Sequence, residues 1–267
     1  MAPRYVKPYV KHRKNDRADA EAICEAVARP SMRFVAVTTE DQQSTLAIHR
    51  VRETLVAQKL INALRAHLAE FGIVAPQGAG KVSQLTAVVA DLEDTRVPGL
   101  ARSALQGLVD QLRDTERRVE ELDARLAKQA REDKVCQRLT TIPGIGPITA
   151  TALTATVGDA TVFESGRHLA AWLGLVPRQN SSGGRERLGG ISKAGDGYLR
   201  RLLVHGARAV MRWHGKTSPW LAGLLKRRPF NVAVVALANK LARIAWAVMA
   251  RGEDYRKPAV TAEPAQG

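Results

Sequence analysis

Aromatic side chains make up only 4% of the 267 residues. That is too few to build an interior on ring stacking, so a core has to come from Ala, Leu and Val in helices. Hydrophobic residues still reach 45%, which excludes a wholly disordered chain. Cysteine is nearly missing. Cys24 and Cys136 lie far apart and neither belongs to a CxxC pair, which excludes a disulfide framework and a zinc site and fits a reducing cytoplasm. Acidic residues are in short supply, 26 Asp and Glu against 41 Lys and Arg, for a net charge of +15. The excess favours a polyanionic partner, nucleic acid or an acidic membrane surface, over a surface kept basic for solubility alone. A long uncharged run is also lacking. The longest apolar stretch, "NVAVVALANKLARIAWAVMA" (231–250), carries Lys240 and Arg243 near its middle, and the first residues have no apolar signal core, so a membrane is the weaker partner. "GIVAPQGAGK" (72–81) lacks the full GxxxxGK[ST] pattern, and no strand leads into it, so it is set aside as a phosphate loop.

What is present is mostly helical pattern. Residues 15–30 read as a helix with Asn15 or Asp16 as cap, acids in its first turns and Pro30 as its stop. "MRFVAV" (32–37) suits a short strand. From Thr39 to Phe71, the residues Leu46, Ile48, Val51, Leu55, Leu60, Leu64 and Leu68 recur near helical spacing and predict one long amphipathic helix. Over 100–137, Leu105, Leu108, Leu112, Thr115, Val119, Leu122 and Leu126 step by three and four. This stripe fits a coiled-coil arm or the core helix of a bundle equally well. Further helices are expected at 163–177 (running into a short extended piece), 195–214 and 231–250.

Three places hold candidate chemistry. In "TTIPGIGPITATALTATVGD" (140–159), Gly144 and Gly146 lie in a tight turn between two helical segments. A helix–hairpin–helix uses such glycines to bring a DNA phosphate to free helix-end amides, and a purely structural turn is the alternative. Asp16 and Asp19, three apart, project from one helix face. Paired carboxylates suit Mg²⁺, although a solvated first turn gives the same pattern. The third place, "QNSSGGRERLGGISKAGDGYLRR" (179–201), sets Ser181 and Ser182 among six glycines and five basic residues. A hydroxyl is a weak nucleophile unless a base, a metal or a positive field assists it. Arg178, Arg185, Arg187, Lys193, Arg200 and Arg201 could hold a scissile phosphate and offset its growing charge. A plain flexible linker is the other reading. Against it, Ser192 and Asp196 offer caps for a following helix with the apolar stripe Leu199, Leu202, Leu203, Ala207 and Val210.

These stretches, with "VKPYVKHRKNDRADAEAICEAVARPSMRFVAV" near the start and "ALANKLARIAWAVM" near the end, closely resemble the transposases of insertion-sequence family 110 (the 110/116/902 group, 1111-like branch) over nearly the whole chain. The resemblance implies a mainly α chain with four parts. These are the C-terminal part of a RuvC-like (RNase H-like) α/β domain at 1–75, a linker and helical or coiled-coil arm at 76–138, a serine transposase domain with a helix–hairpin–helix at 139–252, and a disordered tail at 253–267. It implies a site-specific DNA recombinase in which Ser182, or its neighbour Ser181, is the nucleophile. Asp16 and Asp19 would be the last two acids of an Asp-Glu-Asp-Asp quartet holding Mg²⁺. Implied partners are DNA, a non-coding bridge RNA and further copies of the chain as a dimer or tetramer, in a bacterial cytoplasm at the nucleoid. Members of the family carry the first Asp and the Glu upstream of the point where this sequence begins, so the chain as written is expected to bind Mg²⁺ poorly and to be inactive. A non-catalytic DNA- or RNA-binding remnant and a RuvC-like junction nuclease are the alternatives.

Overall fold

A computed structural model describes residues 6–10, 16–30, 37–56, 58–76, 78, 81–179, 188–214 and 218–256. The chain divides into two compact units, Met1–Thr39 and Glu40–Gly267. In the first, a 3₁₀ turn at Lys7–Tyr9 precedes helix α1 (Asp16–Val27). Asp16 and Asp19 occupy its first turn, where carboxylates complement the helix dipole. One face of α1 buries Ala22 and Ala26, while Ile23 and Val27 stay about half exposed. The strand expected at 32–37 falls outside the described residues except for Val37, which is exposed.

The second unit is built from helices α2 (Glu40–Leu55), α3 (Gln58–Glu70), α4 (Val82–Ala90), α5 (Gly99–Glu132), α6 (Lys134–Thr140), α7 (Pro147–Val157), α8 (Gly166–Trp172), α9 (Gly197–His214), α10 (Pro219–Arg227) and α11 (Phe230–Arg251). The strands β1 (Pro177–Gln179) and β2 (Leu188–Ile191) pair antiparallel between α8 and α9.

The 34-residue α5 is the spine, about 50 Å long at 1.5 Å per residue. Its N-terminal half packs with α3 and α4 around Leu64, Leu68, Leu85, Val89, Leu105 and Val109. Its C-terminal half meets α2, α6 and α7. The leucine stripe thus starts as the core of a small intramolecular bundle. The loop after α4 is gathered by Arg102, a buried guanidinium that donates to the carbonyls of Val88 (2.8 Å), Val89 (3.0 Å), Asp91, Asp94 and Val97 (3.3 Å). It neutralises the negative C-terminal end of α4 without any carboxylate.

The helix expected over Thr39–Phe71 is two helices, separated after Leu55. The reason is that the halves bury different chemistry. α3 buries Leu64 and Leu68 against α4 and α5, as the leucine spacing predicts. α2 buries Thr45 and His49, while Val51 of the expected apolar face is 50% exposed. The helices of 40–70, placed by the sequence reading in a first domain ending at 75, pack within the second unit.

The larger core joins α6, α7, α8, α9 and α11. α11 is long and apolar enough to cross a membrane by composition. Here it is a core helix, burying Ala233, Val234, Leu237, Ala238, Leu241, Ala242, Ala245 and Val248, with Trp246 donating to the carbonyls of Ala160 (3.0 Å) and Phe163 (3.2 Å).

Candidate nucleic-acid interface

Residues 180–187 lie outside the described residues, and with them Ser181, Ser182, Arg185 and Arg187. What is described is the frame from which they extend. They join β1 to β2, a ladder pairing Pro177 with Ile191 and Gln179 with Leu188, with a register shift between. The frame continues below the ladder, where the Ser192 amide donates to Val176 O (2.8 Å) and the Lys193 amide to Gly174 O (3.1 Å). Gly195 then crosses the end of α8 so closely that a Cβ would lie 1.9 Å from Trp172 O. Asp196 caps α9, its carboxylate accepting from the amides of Tyr198 (2.7 Å) and Leu199 (3.0 Å).

The described cations of the expected cluster divide. Arg178 is exposed on β1 and donates to Ser192 O (3.3 Å), and Lys193 is likewise exposed. Arg200 turns into the frame, donating to Leu173 O and Ala194 O at 3.0 Å each, and so ties α9 to the chain crossing. Arg201 pairs with Glu53 of α2 and lies over the Tyr198 ring. Arg178 and Lys193 are therefore at the hairpin base, whereas Arg200 and Arg201 are spent largely on holding α8, α9 and α2 together.

The turn at 141–146 joins α6 to α7, with Ile142 and Ile145 buried as anchors. Gly144 has φ +92°, and a Cβ there would lie 2.7 Å from Val210 and 2.9 Å from Gly206 O. In return, a Cβ on Gly206 would lie 1.9 Å from Gly144 O. The close approach that this glycine permits is made to α9. Gly146 differs, being exposed with nothing within 4 Å of its Cβ position. The outward edge of the turn is Pro143, Gly146 and Pro147.

A buried polar chain binds these parts together. His49 of α2 contacts Tyr198 Oη at 3.0 Å through Nδ1 and Thr151 Oγ1 at 3.1 Å through Nε2. Thr151 donates its own proton to Pro147 O (2.8 Å), so Nε2 carries the imidazole proton and Nδ1 accepts from Tyr198. Arg52 pairs with Asp123 of α5 and also reaches Tyr198. Burial, helped by the Arg52 charge, holds the His49 pKa down at about 4. Burial likewise pushes the Tyr198 hydroxyl up. The chain fastens the spine, the 141–146 turn and the start of α9 to one another. Sequence reasoning missed it because polar residues were not expected on a buried helix face.

Asp16 and Asp19 share the first turn of α1, as expected. Among the described residues, no group of three His, Cys, Asp or Glu is placed to hold a metal ion. Two carboxylates one helical turn apart fall short of the donor set of a two-metal phosphoryl-transfer site. The described residues do not fit a Mg²⁺ centre, and no step is assigned to one.

A model of the transposase IS116/IS110/IS902 family matches residues 136–221, which run from α6 through the hairpin to the start of α10. Similarity to individual proteins extends further. A Pseudomonas aeruginosa protein named "probable family 20 transposase" is 50% identical over 96% of this chain and 78% of its own length. The transposase for insertion sequence element IS1328 of Yersinia enterocolitica is 45% identical over the same shares. The transposase for IS1111A of Coxiella burnetii is 42% identical over 96% of this chain and 72% of its own. With half its residues shared along most of such a relative, the chain belongs to the IS110/IS116/IS902 family of insertion-sequence transposases.

Proposed function

We propose that this protein is a DNA recombinase subunit of an insertion sequence that joins strands through the Ser182 hydroxyl, with Ser181 as the alternate. The hydroxyl oxygen attacks a DNA phosphorus and forms a phosphoserine ester. The displaced deoxyribose oxygen leaves as a free hydroxyl, taking up the proton that serine gives up. One phosphoester bond breaks as one forms, so resealing needs no nucleotide hydrolysis. A free hydroxyl of the incoming strand attacks the phosphoserine and returns the proton to serine. Arg178, Lys193, Arg185 and Arg187 would offset charge on the phosphorane. Gly146, on the outward edge of its turn, would lie along a neighbouring phosphate. Asp16 and Asp19 keep the metal-binding role implied by resemblance only if further acidic ligands join them.

The observation supporting this reading most strongly is the frame itself. Two serines with arginines on both sides are carried between strands clamped to α8 and α9, and an unconstrained linker has no need of a crossing as tight as Gly195 over Trp172. That Asp16 and Asp19 have no third metal donor among the described residues favours a second reading, a module that binds DNA or a guide RNA without cutting it. A strand-transfer assay on DNA spanning the element's own ends separates them. Recombinant joints formed by the protein and abolished in Ser182→Ala, with DNA affinity retained, support the recombinase. Joints surviving in both Ser182→Ala and Ser181→Ala refute it, and tight binding without any joints favours the binding module.

A further inference from the structure

The excess positive charge is not confined to the serine hairpin. A groove of about 1030 Å³ opens between the start of α8 and the outer face of α11. Along α11, Ala236, Lys240, Arg243, Ala247 and Arg251 follow one another at spacings of four, three, four and four, and all line the groove. They therefore form a single stripe, with Lys240 to Arg251 spanning about 16 Å. Gly166 seats α8 directly on this face, since a Cβ there would lie 2.8 Å from Arg243 O. Arg167, next along α8, also lines the groove. Lys240 is held with its ammonium 4.3 Å from the centre of the Trp220 ring. Among the described residues, no carboxylate forms an ion pair with Arg167, Arg243 or Arg251. The groove's two acids, Glu253 and Asp254, follow Arg251 at the C-terminal end of the stripe, where Asp254 lies 3.9 Å from Arg138.

α11 is otherwise an apolar core helix, so its cations are gathered on the one face that meets solvent. We infer that this stripe is a second DNA-binding surface, which takes the phosphate backbone of a duplex leading toward the serine hairpin. The inference rests on the DNA reading proposed above. Three observations select the occupant. Among the described residues the cations have no ion-pair partner, and they lie in a line, which suits a row of phosphates. Small residues at 236 and 247 let a backbone come close. Of the three rings that line the groove, Trp220 is covered on one face by Lys240, while Trp246 and Tyr255 are half-buried against the larger core, so the rings do not form a free row for stacking single-stranded bases. Direction comes from Asn239, which lines the groove and donates to Leu175 O (3.2 Å), two residues before β1. A duplex along α11 thus ends at the foot of the hairpin.

The test compares Lys240→Gln/Arg243→Gln/Arg251→Gln with a control of equal charge loss on the α5 surface, Arg113→Gln/Arg125→Gln/Lys128→Gln. Probes are a labelled 30-base-pair DNA duplex, the corresponding single strand, a duplex RNA and phosphatidylglycerol vesicles. The groove variant should bind duplex DNA roughly 10- to 100-fold more weakly, with its log–log salt slope reduced by about 2 to 3. The control should lose less than about 3-fold. Equal losses in both variants overturn the inference, as does a groove-variant loss that is larger for single strand, RNA or vesicles than for duplex DNA. Failure of the unsubstituted protein to bind any nucleic acid would instead overturn the DNA reading.

Discussion

The imidazole of His49 is 2% exposed and neutral, fixed between two hydroxyls with a guanidinium nearby. Its pKa falls from the ordinary 6.5 to about 4 on folding, so between those values the unfolded chain binds a proton that the folded chain does not. Stability from this residue is fully present above pH 6.5 and is lost as the pH drops toward 4. At about 1.4 kcal/mol per pH unit, the loss is about 2 kcal/mol by pH 5 and about 3 kcal/mol by pH 4. Urea denaturation of the protein and of His49→Gln at pH 7.5, 6 and 5 isolates this contribution, since other titrating groups are common to both. At pH 7.5 the variant should be the less stable. The gap should narrow or reverse by about 2 kcal/mol at pH 5. Parallel stability–pH curves would refute a buried, neutral His49 as the fastener between α2, α7 and α9.

Gly206→Ala should cost at least about 3 kcal/mol in denaturation, because its methyl would meet a backbone oxygen of the 141–146 turn, whereas Gly146→Ala should change stability by less than about 0.5 kcal/mol. Arg102→Met should lower stability by about 3 kcal/mol and speed amide exchange across α4, and Arg102→Lys should restore little, since an ammonium cannot span five carbonyls. Asp196→Ala should cost about 1 kcal/mol through the lost α9 cap, and Asp196→Asn much less.

Much of this architecture was legible in the chain. The stripe of Leu199, Leu203 and Ala207 foretold α9, and the periodicity from 100 foretold α5, because leucines at steps of three and four leave few alternatives. α2 was misread for an equally physical reason. Its buried face is Thr45 and His49, acceptable inside only because Asp41 O, Gln129, Tyr198 and Thr151 satisfy them, and those partners lie up to 149 positions away. Of the strands flanking the serines, the first was expected only as a short extended piece ending at 177 and the second was not expected, because three and four residues, "PRQ" and "LGGI", are too short and too rich in Gly and Pro to show alternation. Six neighbouring arginines and lysines suggested one cluster, yet Arg200 and Arg201 have partners that only the fold brings within reach.

In the proposed reaction the oxygen at position 182 becomes bonded to DNA. Incubating the protein with DNA across its element's ends, bearing a bridging phosphorothiolate that blocks resealing, should accumulate a covalent complex. Nuclease and protease digestion followed by mass spectrometry should place the nucleotide on Ser182, with no such peptide from Ser182→Ala. A nucleotide mapped to any other side chain, or an adduct that survives the Ser182→Ala substitution, would contradict the account.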